Sequence, residues 1–75
     1  MRVRVKLMGA LKGKTPEGGT LELPDEATVD TLLATLEIDP RVVQVVMVNN
    51  KPQKDRTLPL SPDDELTILP PVGGG

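Results

Sequence analysis

Thr28-Val29-Asp30-Thr31-Leu32-Leu33-Ala34-Thr35-Leu36 places apolar side chains at positions 29, 32, 33 and 36, the i, i+3, i+4, i+7 spacing of one helical stripe. Asp30, Thr31 and Thr35 face the other way. The Thr28 hydroxyl can cap the first turn, and Asp30 suits the positive end of the helix dipole. The pattern predicts one helix that starts at Thr28 and ends before Pro40, with Asp39 as a cap and Pro40 opening a single further turn. No other segment has the periodicity for a second helix.

On the N-terminal side the period is two. Arg2 to Met8 reads R-V-R-V-K-L-M, with Val3, Val5 and Leu7 on one face and Arg2, Arg4 and Lys6 on the other, a half-buried strand. Gly9 to Gly19 holds four of the seven glycines and Pro16, and is expected to be a turn or loop. Thr20 to Leu23 alternates again, with Leu21 and Leu23 inward, and completes a hairpin. On the C-terminal side, Val45 to Val48 is a β-branched strand with Val46 and Val48 inward, ended by a tight turn at Asn49-Asn50. Lys51 to Pro59, interrupted by prolines, reads as an edge strand or loop. Ser61-Pro62-Asp63-Asp64 reads as a turn, Glu65 to Leu69 as a last strand with Leu66 and Ile68 inward, and Pro70-Pro71 stops it.

Strand, strand, helix, strand, weak strand, strand, with the last strand returning beside the first, predicts an α+β chain of the β-grasp kind: a mixed sheet of four to five strands and one main helix. A ferredoxin-like sheet would need a second helix. The expected division is a β-grasp domain over residues 1–69 and an extended, flexible tail over 70–75.

Composition removes whole classes of chemistry. The chain has no Cys and no His, hence no disulfide, no thiolate or imidazole metal site, no Cys nucleophile and no side chain that titrates near neutrality. It has no Phe, Tyr or Trp, so bases have no aromatic platform to stack on. Nine Lys and Arg against eleven Asp and Glu give a net charge of −2, which concentrates the chain on neither nucleic acid nor an anionic membrane. The apolar run Val45 to Val48 is far below the roughly 18 residues that span a bilayer, and Met1-Arg2-Val3-Arg4 lacks the apolar stretch of a secretory signal. The expectation is a cytoplasmic domain with no metal and no bound cofactor, whose reactions are catalysed by another protein.

Pro70-Pro71-Val72-Gly73-Gly74-Gly75 has no folding rationale. Two prolines favour an extended backbone and three glycines strip the last positions of side chains. Six extended residues reach about 20 Å, enough to enter a partner's cleft while the body docks outside. A terminal glycine carboxylate has no Cβ to hinder approach; it is ionised at neutral pH and a poor electrophile until converted to a mixed anhydride such as an acyl adenylate. The plain alternative is a frayed terminus or linker, and the stiff Pro-Pro-Val lead weighs against it.

That tail, with Ser61-Pro62-Asp63-Asp64-Glu65-Leu66 and Val48-Asn49-Asn50 before it, resembles the ThiS/MoaD family of sulfur carriers over almost the whole chain, and within it the small subunit of molybdopterin synthase. The terminal Pro-Pro-Val-x-Gly-Gly pattern is its most specific part. The resemblance implies a ubiquitin-like fold whose last glycine, Gly75, is adenylated by an activating enzyme that uses ATP and is converted to a thiocarboxylate, with Gly73 and Gly74 passing through a narrow channel. It implies two partners: the activating enzyme, and a molybdopterin synthase large subunit or another sulfur-acceptor synthase that supplies the catalytic groups. Molybdopterin-type relatives usually carry aromatics where this chain has Leu7-Met8 and Ile68-Leu69, so thiamin, cysteine and tungsten-cofactor synthesis stay open. So do a ubiquitin-like modifier joined to lysine amines and an interaction domain with an inert tail.

If Val46, Val48, Leu66 and Ile68 face the helix, then Met47 and Leu69 face out with Met8 nearby, a candidate docking patch whose plain alternative is scattered surface apolarity. Arg2, Arg4 and Lys6, and in the later loop Lys51, Lys54 and Arg56, are expected to be solvated charges before they are a complement to an acidic partner. Asp63-Asp64-Glu65 reads as a solvated loop rather than a metal site.

Overall fold

The structure is a computed structural model that describes residues 1–71. Its strands are β1 (Arg2–Leu7), β2 (Thr20–Glu22), β3 (Val45–Val48), β4 (Lys51–Pro52) and β5 (Glu65–Leu69), with one α-helix, α1 (Val29–Thr35). They form a single sheet of order β2-β1-β5-β3-β4. β1 and β2 are antiparallel, β5 returns parallel to β1, and β3 runs antiparallel to both β5 and β4. This is the mixed five-stranded β-grasp sheet with one main helix.

The alternation in β1 decides the two faces. Val3, Val5 and Leu7 are buried while Arg2, Arg4 and Lys6 are exposed, and the register sets Val5 beside Leu66 and Leu7 beside Ile68. Val46 pairs with Ile68, and Val48 with Leu66. α1 lays Val29, Leu32 and Leu33 on this apolar face, and Leu32, Leu33, Leu66 and Ile68 are fully buried.

The helix begins as its sequence dictates. Thr28 Oγ1 accepts from the Thr31 N–H, and Thr31 Oγ1 accepts from the Thr28 N–H, 3.2 Å each, a reciprocal cap in which Thr takes the place of the usual acidic or amide partner. It ends sooner than the apolar stripe suggests. Leu36 is the C-cap and Glu37 turns left-handed at φ 58°, which lets the chain double back so that Ile38 N–H reaches the Leu33 carbonyl at 2.9 Å. Asp39 and Pro40 do open a short 3-10 turn, Pro40–Val42, with Asp39 Oδ1 accepting from the Arg41 N–H.

The segment expected to be a turn or loop is built largely of turns. Residues 9–14 and 17–19 form two 3-10 turns, and Leu11 points into the core at 7% exposure. One leucine is enough to pin this connection to the sheet, because its burial offsets the entropy of the flanking glycines. Asn49 and Asn50, both at positive φ, make the tight turn into β4, and Pro52 is tolerated there because β4 is an edge strand. No helix among the described residues is long and apolar enough to cross a membrane.

Candidate functional site

The expected chemical residues, Gly73, Gly74 and Gly75, lie outside the described residues, as does Val72. The structure describes their root. β5 lies at the centre of the sheet, between β1 and β3, so the chain leading to the tail is held on both sides up to its last residues. Met8 N–H donates to the Ile68 carbonyl at 3.1 Å, and Gln44 N–H donates to the Leu69 carbonyl at 2.8 Å. Pro70 is half-buried and Pro71 exposed.

Gly9 closes this root. It sits at φ +56°, and a Cβ built on it would lie 3.0 Å from Cγ of the Pro70 ring. A side chain there would meet backbone strain and crowd the ring of the proline that starts the tail. Sequence reading missed this residue because the glycines of positions 9–19 look alike as turn formers. The signal available was its place, directly after an alternating strand that pairs with the strand before the tail.

The three candidate docking residues come together on the outer sheet face. Leu69 is the register partner of Val45. Met8, in extended conformation one step past β1, continues the alternation of that strand on the other side of Leu69. Met47 belongs to the next row, paired with Thr67, which in turn pairs with Lys6. Met8 is 38% exposed and Val45 37% exposed, while Met47 and Leu69 are half-buried. Val45 was absent from the expected patch although its alternation with the inward Val46 could have found it. Thr67, on the same face, is buried at 7% exposure, so the patch has a covered polar residue at its middle.

Shallow clefts flank the root. One of about 300 Å³ is lined by Lys6, Met8, Gly9 and Lys12 among others, and one of about 360 Å³ by Gln44, Val45, Lys54 and Arg56 among others. The charges expected to be solvated divide into two kinds. Arg2 Nε pairs with Glu22 at 3.1 Å, and Arg4 lies 3.7 Å from Glu65; both pairs are exposed and individually weak. Arg56 is not a free cation: its guanidinium donates to the Pro40 carbonyl at 3.2 Å and the Val43 carbonyl at 2.9 Å, tying the later loop to the chain that enters β3. Asp64 is also used internally, Oδ1 accepting from the Asn49 amide and Oδ2 from the Ser61 N–H. The turn carboxylate therefore fixes the start of β5.

The hydrogen bond from the Arg41 side chain, helped by the Arg41 N–H, holds the Asp39 carboxyl below its ordinary value, and the Arg41 guanidinium is raised in return. The Thr57 hydroxyl and N–H lower Asp55 in the same way. Among the described residues no group of three acidic side chains is placed to hold a metal ion.

Against known proteins, the model of the ThiS family matches residues 5–75. No curated protein matches significantly. Three solved structures share the fold: SAMP1 from Haloferax volcanii, at 23% identity over all of both chains and a TM-score of 0.69; small archaeal modifier protein 1 of H. volcanii, at 20% identity over 95% of this chain and 98% of that one, also at 0.69; and a complex of subunits 1 and 2 of the molybdopterin-converting factor from Helicobacter pylori, at 22% identity over all of both chains and a TM-score of 0.63.

Proposed function

This chain belongs to the ThiS family, and from that premise we propose that it is a sulfur carrier whose Gly75 carboxylate is adenylated, converted to a thiocarboxylate and used to donate sulfur, with molybdopterin synthesis as the acceptor pathway. The observation that carries this reading is the construction of the tail root. A central strand held by Met8 and Gln44 ends in Pro70-Pro71 beside an apolar row, so the body supplies a rigid platform and the six last residues supply reach.

The chemistry asks little of this chain. A carboxylate oxygen attacks the α-phosphorus of ATP in the activating enzyme, pyrophosphate leaves, and a sulfur nucleophile then displaces AMP from the acyl carbon. Glycine at position 75 leaves that carbon unhindered, and Gly73 and Gly74 let an enzyme close on bare backbone. This chain acts as substrate and subunit, not catalyst, and the platform must be recognised by two partners, the activating enzyme and an acceptor such as a synthase large subunit. The molybdopterin-converting factor complex among its structural neighbours favours the synthase partner. ATP-dependent loading fits a cytoplasmic site of work.

A second reading has a specific observation behind it. Two structures of an archaeal modifier protein share the fold over nearly the whole chain, which fits joining of the same terminus to lysine amines. One experiment separates the readings. The chain is incubated with ATP, its activating enzyme and a sulfur source, then followed by intact mass and by thiol-selective alkylation. A carrier gains about 16 Da, from oxygen replaced by sulfur, and an alkylation tag on its terminal peptide; a modifier yields a branched adduct. An unchanged chain would reject both readings.

A further inference from the structure

Oxidation of this chain is confined by its composition. It has no Cys, His, Trp or Tyr, so among fast-reacting side chains a peroxide finds only the thioethers of three methionines. The fold places them unequally. The Met1 side chain is 3% exposed and packs against the core. Met8, 38% exposed, and Met47, half-buried, both belong to the outer sheet face beside Leu69, where β5 gives way to the tail.

We propose that Met8, with Met47 as a second target, is a reversible oxidation site that uncouples the chain from its activating enzyme; this rests on the sulfur-carrier reading above. A lone pair on the thioether sulfur attacks a peroxide oxygen and the O–O bond breaks. The sulfur keeps one oxygen as a sulfoxide, and the other leaves as water or an alcohol. Sulfur loses two electrons and the peroxide gains them. A thiol-dependent sulfoxide reductase reverses the step, oxidising two thiols to a disulfide and releasing the oxygen as water.

The consequence follows from the position of the sulfur. A thioether docks as a soft apolar group, whereas a sulfoxide carries a strong dipole whose water must be stripped when an apolar surface closes over it. Oxidation therefore weakens the encounter and leaves the terminal carboxylate unchanged. The timing is useful, because a loaded thiocarboxylate is itself an oxidisable sulfur; blocking loading under peroxide keeps the tail in its inert oxygen form.

The test uses the unloaded chain with hydrogen peroxide. Sulfoxide and the oxygen-to-sulfur exchange both add about 16 Da, so each site is followed by peptide mapping and loading by the alkylation tag. Met8 should oxidise first, Met47 next and Met1 last, with circular dichroism unchanged until Met1 reacts. At subsaturating carrier the initial loading rate should fall about tenfold as Met8 becomes sulfoxide, recover after sulfoxide reductase, and approach the untreated rate at saturating carrier. Met8→Leu, compared with its own untreated rate, should lose clearly less than the parent. Met1 reacting as fast as Met8, a rate unchanged with Met8 fully oxidised, or an equal loss in Met8→Leu would each overturn the switch and leave the carrier reading standing. Failure of the untreated chain to load would overturn both.

Discussion

Gly9 holds φ +56° against the Pro70 ring, and no other residue type takes that position without strain. Gly9→Ala should cost about 1 to 2 kcal/mol for the left-handed backbone, read as a lower urea midpoint. It should also slow loading, because the added methyl pushes on the residue from which the tail departs. A midpoint equal to the parent would show that the turn relaxes freely. Asp39 makes a different kind of local contribution. Its carboxyl is held below the ordinary range first by the Arg41 side-chain hydrogen bond, so its folded value lies below its unfolded one. The stability this supplies is present above the unfolded value and is lost as pH falls through the folded one. Asp39→Asn can still accept from the Arg41 N–H but loses the charge. The gap in Tm between parent and variant should therefore be open at neutral pH and close on acidification below the ordinary carboxylate range; a gap independent of pH would contradict the assignment.

Among the elements, β5 is the central strand, bonded on both edges, with Leu66 and Ile68 at 0% exposure. Leu66→Ala should cost about 2 to 5 kcal/mol. A domain of this length holds only about 4 to 11 kcal/mol in total, so the variant should be largely unfolded at modest urea. Met47→Asp tests the opposite face of the sheet: thermal stability close to the parent, with affinity for the activating enzyme reduced about tenfold by a charge that must be desolvated. Unchanged affinity would remove Met47 from the docking face. These elements were legible in the sequence because a period of two or 3.6 survives translation into a face, as in β1, β3, β5 and α1. Leu11, Ile38, Val43 and Leu60 are buried from outside any such pattern, and no periodicity could have found them. Arg56 reads as a solvated charge because nothing local reveals that its partners are the carbonyls of residues 40 and 43. The terminal glycines announced the candidate site through their chemistry, whereas its root depends on Gly9 and Gln44, which only the sheet pairing brings to β5.

Taken whole, the proposed function divides the labour along the chain. The body folds around an aliphatic core in a chain with neither aromatic nor sulfhydryl groups; the reactive group proposed for it is the acid at Gly75. The most direct measurement is loading of a chain lacking Gly74 and Gly75, beside the parent, with ATP, the activating enzyme and a sulfur source, scored by alkylation of the terminal peptide. The account predicts a tagged terminus for the parent and none for the shortened chain, with both equally folded. A shortened chain that loads as fast as the parent would contradict it.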